Sequence, residues 1–207
     1  MPIDTVQKFN IIDSTTLDLL INDYESRKIY DTCTMNKTSP GNAVLLLLEL
    51  LETALGRKLE YVTGNFYKHT VPYLPHTDFK SYEQNYLNIV IPLQYTGIQP
   101  SLIVFDQMWN QDSVTWCMHY PVKYFSYNIG VKGCPYEYPV SGLTETDISD
   151  DLYKNYLSHY PKNCLFGLTG EVYPFEPGSI IVFDNRHIHC TSKMSGEKLG
   201  ISLRFKK

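Results

Sequence analysis

Tyr73-Leu74-Pro75-His76-Thr77-Asp78-Phe79 is the stretch on which the reading of this chain turns. Pro72 and Pro75 favour an extended backbone around it, and residues two apart on an extended segment point to the same face. His76 and Asp78 therefore stand side by side, an imidazole next to a carboxylate. Two such groups do not hold a metal alone, so a metal reading requires a third ligand from elsewhere. Without one, the pair is a strand-end His and Asp bonded to each other or to turn backbone.

The far end of the chain supplies the third group. Glu176-Pro177-Gly178 turns into the apolar run Ser179-Ile180-Ile181-Val182-Phe183, and Asp184-Asn185-Arg186-His187-Ile188-His189-Cys190-Thr191 follows. His187 and His189 share one strand face, and either is a candidate ligand. Two imidazoles and one carboxylate on one side of a metal form the facial triad of non-haem Fe(II) chemistry, which leaves positions open for a co-substrate and O₂.

The 207 residues suit one domain with a substantial core, and 43% apolar with 19% charged residues is ordinary for a soluble globular chain. A net charge of −4 argues against a nucleic-acid backbone as main partner, which calls for a clustered basic surface. The five cysteines, at 33, 117, 134, 164 and 190, form no C-x-x-C pair and are odd in number, so a disulfide framework is not expected. The start lacks a basic segment followed by an apolar run. The strongest apolar run, Ala43 to Leu51, is too short to span a bilayer and carries Glu49. A cytoplasmic protein with no membrane partner is the expectation. The 17 tyrosines, each an apolar body with a polar tip, suit a polar pocket.

Ser14, Thr15 or Thr16 is expected to cap a helix through Leu17–Ile21, and a second helix runs through Leu45–Leu55 to a stop at Gly56. Strands follow at 60–63 and 65–69, broken by Gly64, then at 87–93 and 101–106. Residues 107–164 are irregular, with one helix expected at 146–157, and long excursions of this kind often form lids or binding loops. Strands return over 165–207. The expected organisation is one domain over 1–207: helical support in 1–58, a jelly-roll core from 59–106 and 165–207, and an insertion at 107–164. The fold class is mainly β with flanking N-terminal helices, a double-stranded β-helix of the jelly-roll or cupin-like kind.

Over roughly 46–205 the sequence resembles the Fe(II)/2-oxoglutarate-dependent oxygenases, nearest to the phytanoyl-CoA and prolyl hydroxylase branches. The resemblance rests on the order of parts: the leucine-rich helix ending Leu55-Gly56-Arg57, His76-x-Asp78, Pro177-Gly178 before a strand, Ile188-His189, and a basic residue before Ile201-Ser202-Leu203. It implies iron ligands at His76, Asp78 and His189, with His187 the other candidate for the third ligand and otherwise a hydrogen-bond donor behind the ligands or a substrate contact. It implies Fe(II), 2-oxoglutarate and O₂ as cofactors, with a carboxylate-binding cation at the start of the last strand. Lys198 with Ser202 fills that place, and Arg204, on the same face, is its rival and a second anchor. Tyr67 and Asn88 are candidates to line the 2-oxoglutarate pocket. Asp106, Trp109, Asp112 and Trp116 are candidate contacts to a polar small-molecule substrate. Family members that halogenate replace the Asp of His-x-Asp, so Asp78 implies hydroxylation. A cupin-like binding module without 2-oxoglutarate turnover is the alternative.

Overall fold

The structure, a computed structural model, describes residues 6–27, 41–78, 86–109, 140–142 and 144–206. A short strand β1 (Gln7–Asn10) precedes helix α1 (Ser14–Ser26) and helix α2 (Gly41–Leu55). The cap of α1 is Asp13 rather than one of the hydroxyl residues that follow it. Its backbone is extended and its carboxylate accepts the Thr16 N–H at 2.7 Å, which satisfies a helix-end donor. Along α2, Leu47 and Leu51 are fully buried one turn apart while Leu45 and Leu46 are exposed, so one stripe of the leucine run meets the sheet. Gly56, at φ 64°, ends α2 in the left-handed conformation that costs glycine least.

Strands β2 (Glu60–His69), β3 (Tyr86–Tyr95) and β4 (Ser101–Trp109) come next, followed by β5 (Val140–Ser141). The break expected at Gly64 is absent. Gly64 stays in the ladder opposite Leu203, and the irregularity falls between Tyr61 and Thr63 as a bulge. The helix expected at 146–157 is shorter: α3 (Asp150–Leu152), capped by Ser149 and continued by a π-helical turn over Tyr153–Leu157. Thr146 lies outside it because its carbonyl accepts the Gly167 N–H. β6 (Gly170–Pro174), β7 (Ser179–Asp184), β8 (His187–Thr191) and β9 (Lys198–Lys206) complete the order.

The strands form two antiparallel sheets. One has the order β1-β7-β3-β9-β2. In the other, β4 pairs with β6, with β8 and, at its end, with β5, while β8 takes on the segment at His76 through a further bridge. Alternation along the strands assigns the faces. Leu199, Ile201, Leu203 and Phe205 of β9 join Leu87, Ile89 and Ile91 of β3 in a core with Leu20, Leu47 and Leu51 of the helices. The opposite face gives Tyr67, Val90, Ile181 and Phe183 to a second core, completed by Leu102 and Val104 of β4. Behind β4, Ile103, Phe105 and Trp109 pack with Ile188, Ile148 and Leu157. Each fully buried Leu, Ile or Phe contributes about 1.5–3 kcal/mol. A one-residue slip of β9 would turn Lys198, Ser202 and Arg204 against the helices, so this burial sets the register that aims them into the sandwich. The architecture is mainly β, a double-stranded β-helix with helices on one sheet.

Candidate metal centre

The His76-x-Asp78 segment is strapped to β8 and to the turn between β7 and β8 by backbone bonds. The His76 N–H donates to the His189 carbonyl at 3.0 Å and the His189 N–H returns to the His76 carbonyl at 2.9 Å. The Asp78 N–H donates to the Asn185 carbonyl at 3.2 Å. These bonds bring the two imidazoles to a centroid distance of 4.2 Å. His76, Asp78 and His189 each offer a ligand atom, and the three atoms lie within 4.8 Å of one another. His76 Nε2 is 3.8 Å from one Asp78 oxygen, and His189 Nε2 is 3.5 Å from the other.

The tautomers suit a metal. His76 Nδ1–H donates to the Leu74 carbonyl at 2.7 Å, and His189 Nδ1–H donates to the His187 carbonyl at 3.0 Å. Each bond fixes the proton on Nδ1 and leaves the Nε2 lone pair facing the carboxylate, as a ligating imidazole requires. Burial, the largest influence on both rings, pushes their pKa values down and keeps them neutral. Burial opposes ionisation of Asp78, yet the Arg204 guanidinium and the Asn88 amide hold its carboxyl below the usual range. Asn88 Nδ2 donates to Asp78 Oδ2 at 2.8 Å, and Arg204 Nη2 lies 3.0 Å from Oδ1. Two neutral nitrogens and one anionic carboxylate on one side of an open space are the donor set of a facial triad. The residues fit iron(II).

The triad opens on a cavity lined by residues that include Tyr67, His69, Thr191, Lys198, Ser202 and Arg204. Lys198 is buried at 5% exposure, its Nζ bonded to the Thr191 hydroxyl and 5.5 Å from the ring centroids of both Tyr67 and Phe175. Among the described residues no carboxylate pairs with it. Burial lowers its pKa to about 7.

Of the residues singled out in the sequence, His76, Asp78, His189, Tyr67, Lys198, Ser202 and Arg204 meet at this cavity. Asn88 takes a different place from the one expected. It holds Asp78 instead of lining the pocket. Arg204 likewise sits on the Asp78 carboxylate. His187 does not join the cluster, because its Nδ1–H donates to the Phe105 carbonyl at 2.6 Å, while its own carbonyl orients His189. Asp106 is exposed and accepts from the Thr169 hydroxyl at 2.7 Å, away from the cavity. Trp109 is fully buried and packs in the core behind β4. Asp112 and Trp116 lie outside the described residues. Thr191 and His69 escaped the sequence reading. The signal was present, since Thr191 lies two residues after His189 and His69 two after Tyr67, each on its partner's strand face.

No protein-family model matches the sequence, and no curated protein sequence matches it. Solved structures do share its fold. The epimerase SnoN, in complex with Fe3+, alpha ketoglutarate and nogalamycin RO, superposes with a TM-score of 0.55 at 11% identity, covering 98% of this chain and 78% of SnoN. A Pseudomonas putida prolyl-4-hydroxylase gives 0.53 at 10% identity, covering 98% of this chain and 92% of the hydroxylase. The fold is that of the 2-oxoglutarate-dependent oxygenases. The non-heme alpha ketoglutarate dependent carbocyclase SnoK shares this oxygenase fold at 0.53 and 8% identity, covering 97% of this chain and 79% of SnoK. Among the described residues, no helix is long and apolar enough to cross a membrane.

Proposed function

We propose that the protein is an Fe(II)- and 2-oxoglutarate-dependent dioxygenase that hydroxylates an unactivated C–H bond of a polar small molecule. One observation carries the reading. The cavity that presents His76, Asp78 and His189 also holds Lys198, a buried cation without a carboxylate partner among the described residues. A metal-binding triad and a buried amine with no carboxylate partner among the described residues, in one space, fit a ligand with a chelating head and an anionic tail, and 2-oxoglutarate is such a ligand. Desolvating its distal carboxylate is costly unless a cation meets it.

In this reading His76 and His189 bind iron through Nε2 and Asp78 through one carboxylate oxygen. Iron(II) with 2-oxoglutarate and O₂ supplies the oxidising equivalent for replacing C–H by C–OH, with succinate and CO₂ as co-products. The protein contributes the rest. The Leu74 and His187 carbonyls hold both imidazoles in the ligating tautomer, and Asn88 and Arg204 hold the Asp78 carboxylate ionised. Lys198, with the Thr191 hydroxyl at its side and Ser202 on the same strand face, anchors the distal carboxylate. Val90, Leu102 and Tyr67 wall the cavity and exclude water. The names of the structural neighbours span an epimerase, a carbocyclase and a hydroxylase, so the fold alone does not choose the outcome. Asp78 supports hydroxylation, since halogenating relatives give up this carboxylate for chloride. Nogalamycin RO in SnoN is a small-molecule precedent for the substrate class.

The test is anaerobic addition of Fe(II) and then 2-oxoglutarate, followed by visible spectroscopy. A weak charge-transfer band is expected in the wild type and absent in Asp78→Ala and His189→Ala. O₂-dependent succinate release then screens substrates. A wild type without the band overturns the reading in favour of a cupin-like binding module.

A further inference from the structure

The cavity has a cation at each end, and the proposed function calls on only one of them to hold a ligand. Lys198 opens β9, and Arg204 lies six residues on, about 20 Å along the strand and on the same face. Lys198 takes the distal carboxylate of the co-substrate. Arg204 reaches Asp78, its only partner among the described residues, with Nη2 3.0 Å from Oδ1. One contact of that kind occupies a fraction of a guanidinium, which carries five N–H donors. Arg204 lines the cavity and none of its nitrogens is buried without a partner, so the donors left over are open to that space.

The charges of the loaded site do not balance. Asp78 is the only carboxylate among the described residues that line the cavity, and imidazoles that ligate a metal are neutral. Two charges on Fe(II), one on Lys198 and one on Arg204 face one on Asp78 and two on 2-oxoglutarate. One positive charge remains in a space shielded from water, where an uncompensated charge is costly. Without Arg204 the set is neutral. Arg204 cannot relieve the excess by losing a proton, because a guanidinium stays charged. A single negative charge on the remaining occupant, the molecule to be oxidised, completes the balance.

We infer that Arg204 is a specificity-determining residue that binds an anionic group, a carboxylate or a sulfonate, on the molecule to be hydroxylated, so that the substrate is a monoanion. The inference rests on the 2-oxoglutarate reading and deepens it by naming the substrate class. The planar fork of a guanidinium matches such a group, and its place beside Asp78 sets the anionic group next to the metal. The competing role for Arg204 is to hold Asp78 and nothing more.

Anaerobic titration of the protein loaded with Fe(II) and 2-oxoglutarate separates the two roles, read from the charge-transfer band. The probes are methanesulfonate and dimethyl sulfone, which share a shape but differ in charge. A sulfonate is a poor ligand for iron, so its binding reports the protein rather than the metal. Methanesulfonate is expected to perturb the band saturably, without displacing 2-oxoglutarate, and to bind about tenfold more tightly than dimethyl sulfone, the size of one charge-assisted hydrogen bond. At saturating Fe(II), Arg204→Gln should lose that preference and Arg204→Lys should keep most of it. Equal binding of the two probes, no saturable response to methanesulfonate, displacement of 2-oxoglutarate, or a preference that survives in Arg204→Gln overturns the inference while the function reading stands. A wild type that forms no band with 2-oxoglutarate overturns the function reading, and this inference with it.

Discussion

Arg204 and Asp78 form an ion pair inside the sandwich, with Arg204 Nη2 3.0 Å from Asp78 Oδ1 and only 18% and 15% of the two side chains exposed. Asn88 takes the other carboxylate oxygen at 2.8 Å. The proposed metal ligand is thus held on both oxygens by groups from two neighbouring strands, β3 and β9, which pair at Asn88 and Arg204. Partners that orient a ligating carboxylate matter nearly as much as the ligand. Arg204→Gln should lower Fe(II) or Ni(II) affinity by tenfold or more in an anaerobic metal titration. Arg204→Lys should fall between, because an ammonium keeps the charge and loses the planar fork. Tighter metal binding in Arg204→Gln would instead make the guanidinium a competitor for Asp78.

Gly200 and Tyr67 are matched in shape. A Cβ at Gly200 would lie 2.4 Å from the Tyr67 hydroxyl oxygen and 3.0 Å from the Ile91 carbonyl oxygen. The phenol can yield only by moving into the cavity, and the backbone carbonyl cannot yield. Gly200→Ala should therefore destabilise the fold by about 1–3 kcal/mol, read by urea denaturation. It should also weaken 2-oxoglutarate binding, because the displaced Tyr67 ring leaves its place 5.5 Å from Lys198. An unchanged midpoint and affinity would show that the sheet absorbs the methyl group elsewhere.

Much of this arrangement was legible because strand alternation carries it. His76 with Asp78, and Lys198 with Ser202 and Arg204, are spaced by even numbers along extended chain, so each set shares a face. What each side chain meets across the sandwich was not legible. That Asn88 and Arg204 would grip Asp78 depends on the β3–β9 register, which is set by contacts far apart in sequence and displaced by a bulge at Pro92/Gln94. Counting from Phe105 along β4 puts Trp109 on the outer face. Its place in the irregular 107–164 stretch makes it a candidate substrate contact, whereas its size suits a core equally.

Trp109 distinguishes packing from binding. It is fully buried beside Phe105, Ile148 and Leu157. Trp109→Ala should cost about 3–5 kcal/mol through the cavity it leaves. Trp109→Phe should cost far less and leave 2-oxoglutarate affinity at the wild-type value. A Trp109→Phe protein of wild-type stability with altered ligand affinity would return this residue to the site.

Lys198 makes both stability and co-substrate binding depend on pH. Burial lowers its pKa from 10.5 to about 7 in the free protein. The unfolded chain therefore binds more protons between those values, and this group's destabilising effect is full below about pH 7 and disappears as pH rises to 10.5. Within that window the stability gap between wild type and Lys198→Met should close by about 1.4 kcal/mol per pH unit. Binding has the opposite sign. The distal carboxylate needs the ammonium form, so 2-oxoglutarate should draw a proton onto Lys198, with affinity falling up to about tenfold per pH unit in the same window. Calorimetry at pH 8.5 in two buffers of different ionisation enthalpy measures that uptake directly. Uptake approaching one proton in the wild type and none in Lys198→Met is expected. Equal uptake in both would move the proton to another group and leave Lys198 charged before the ligand arrives.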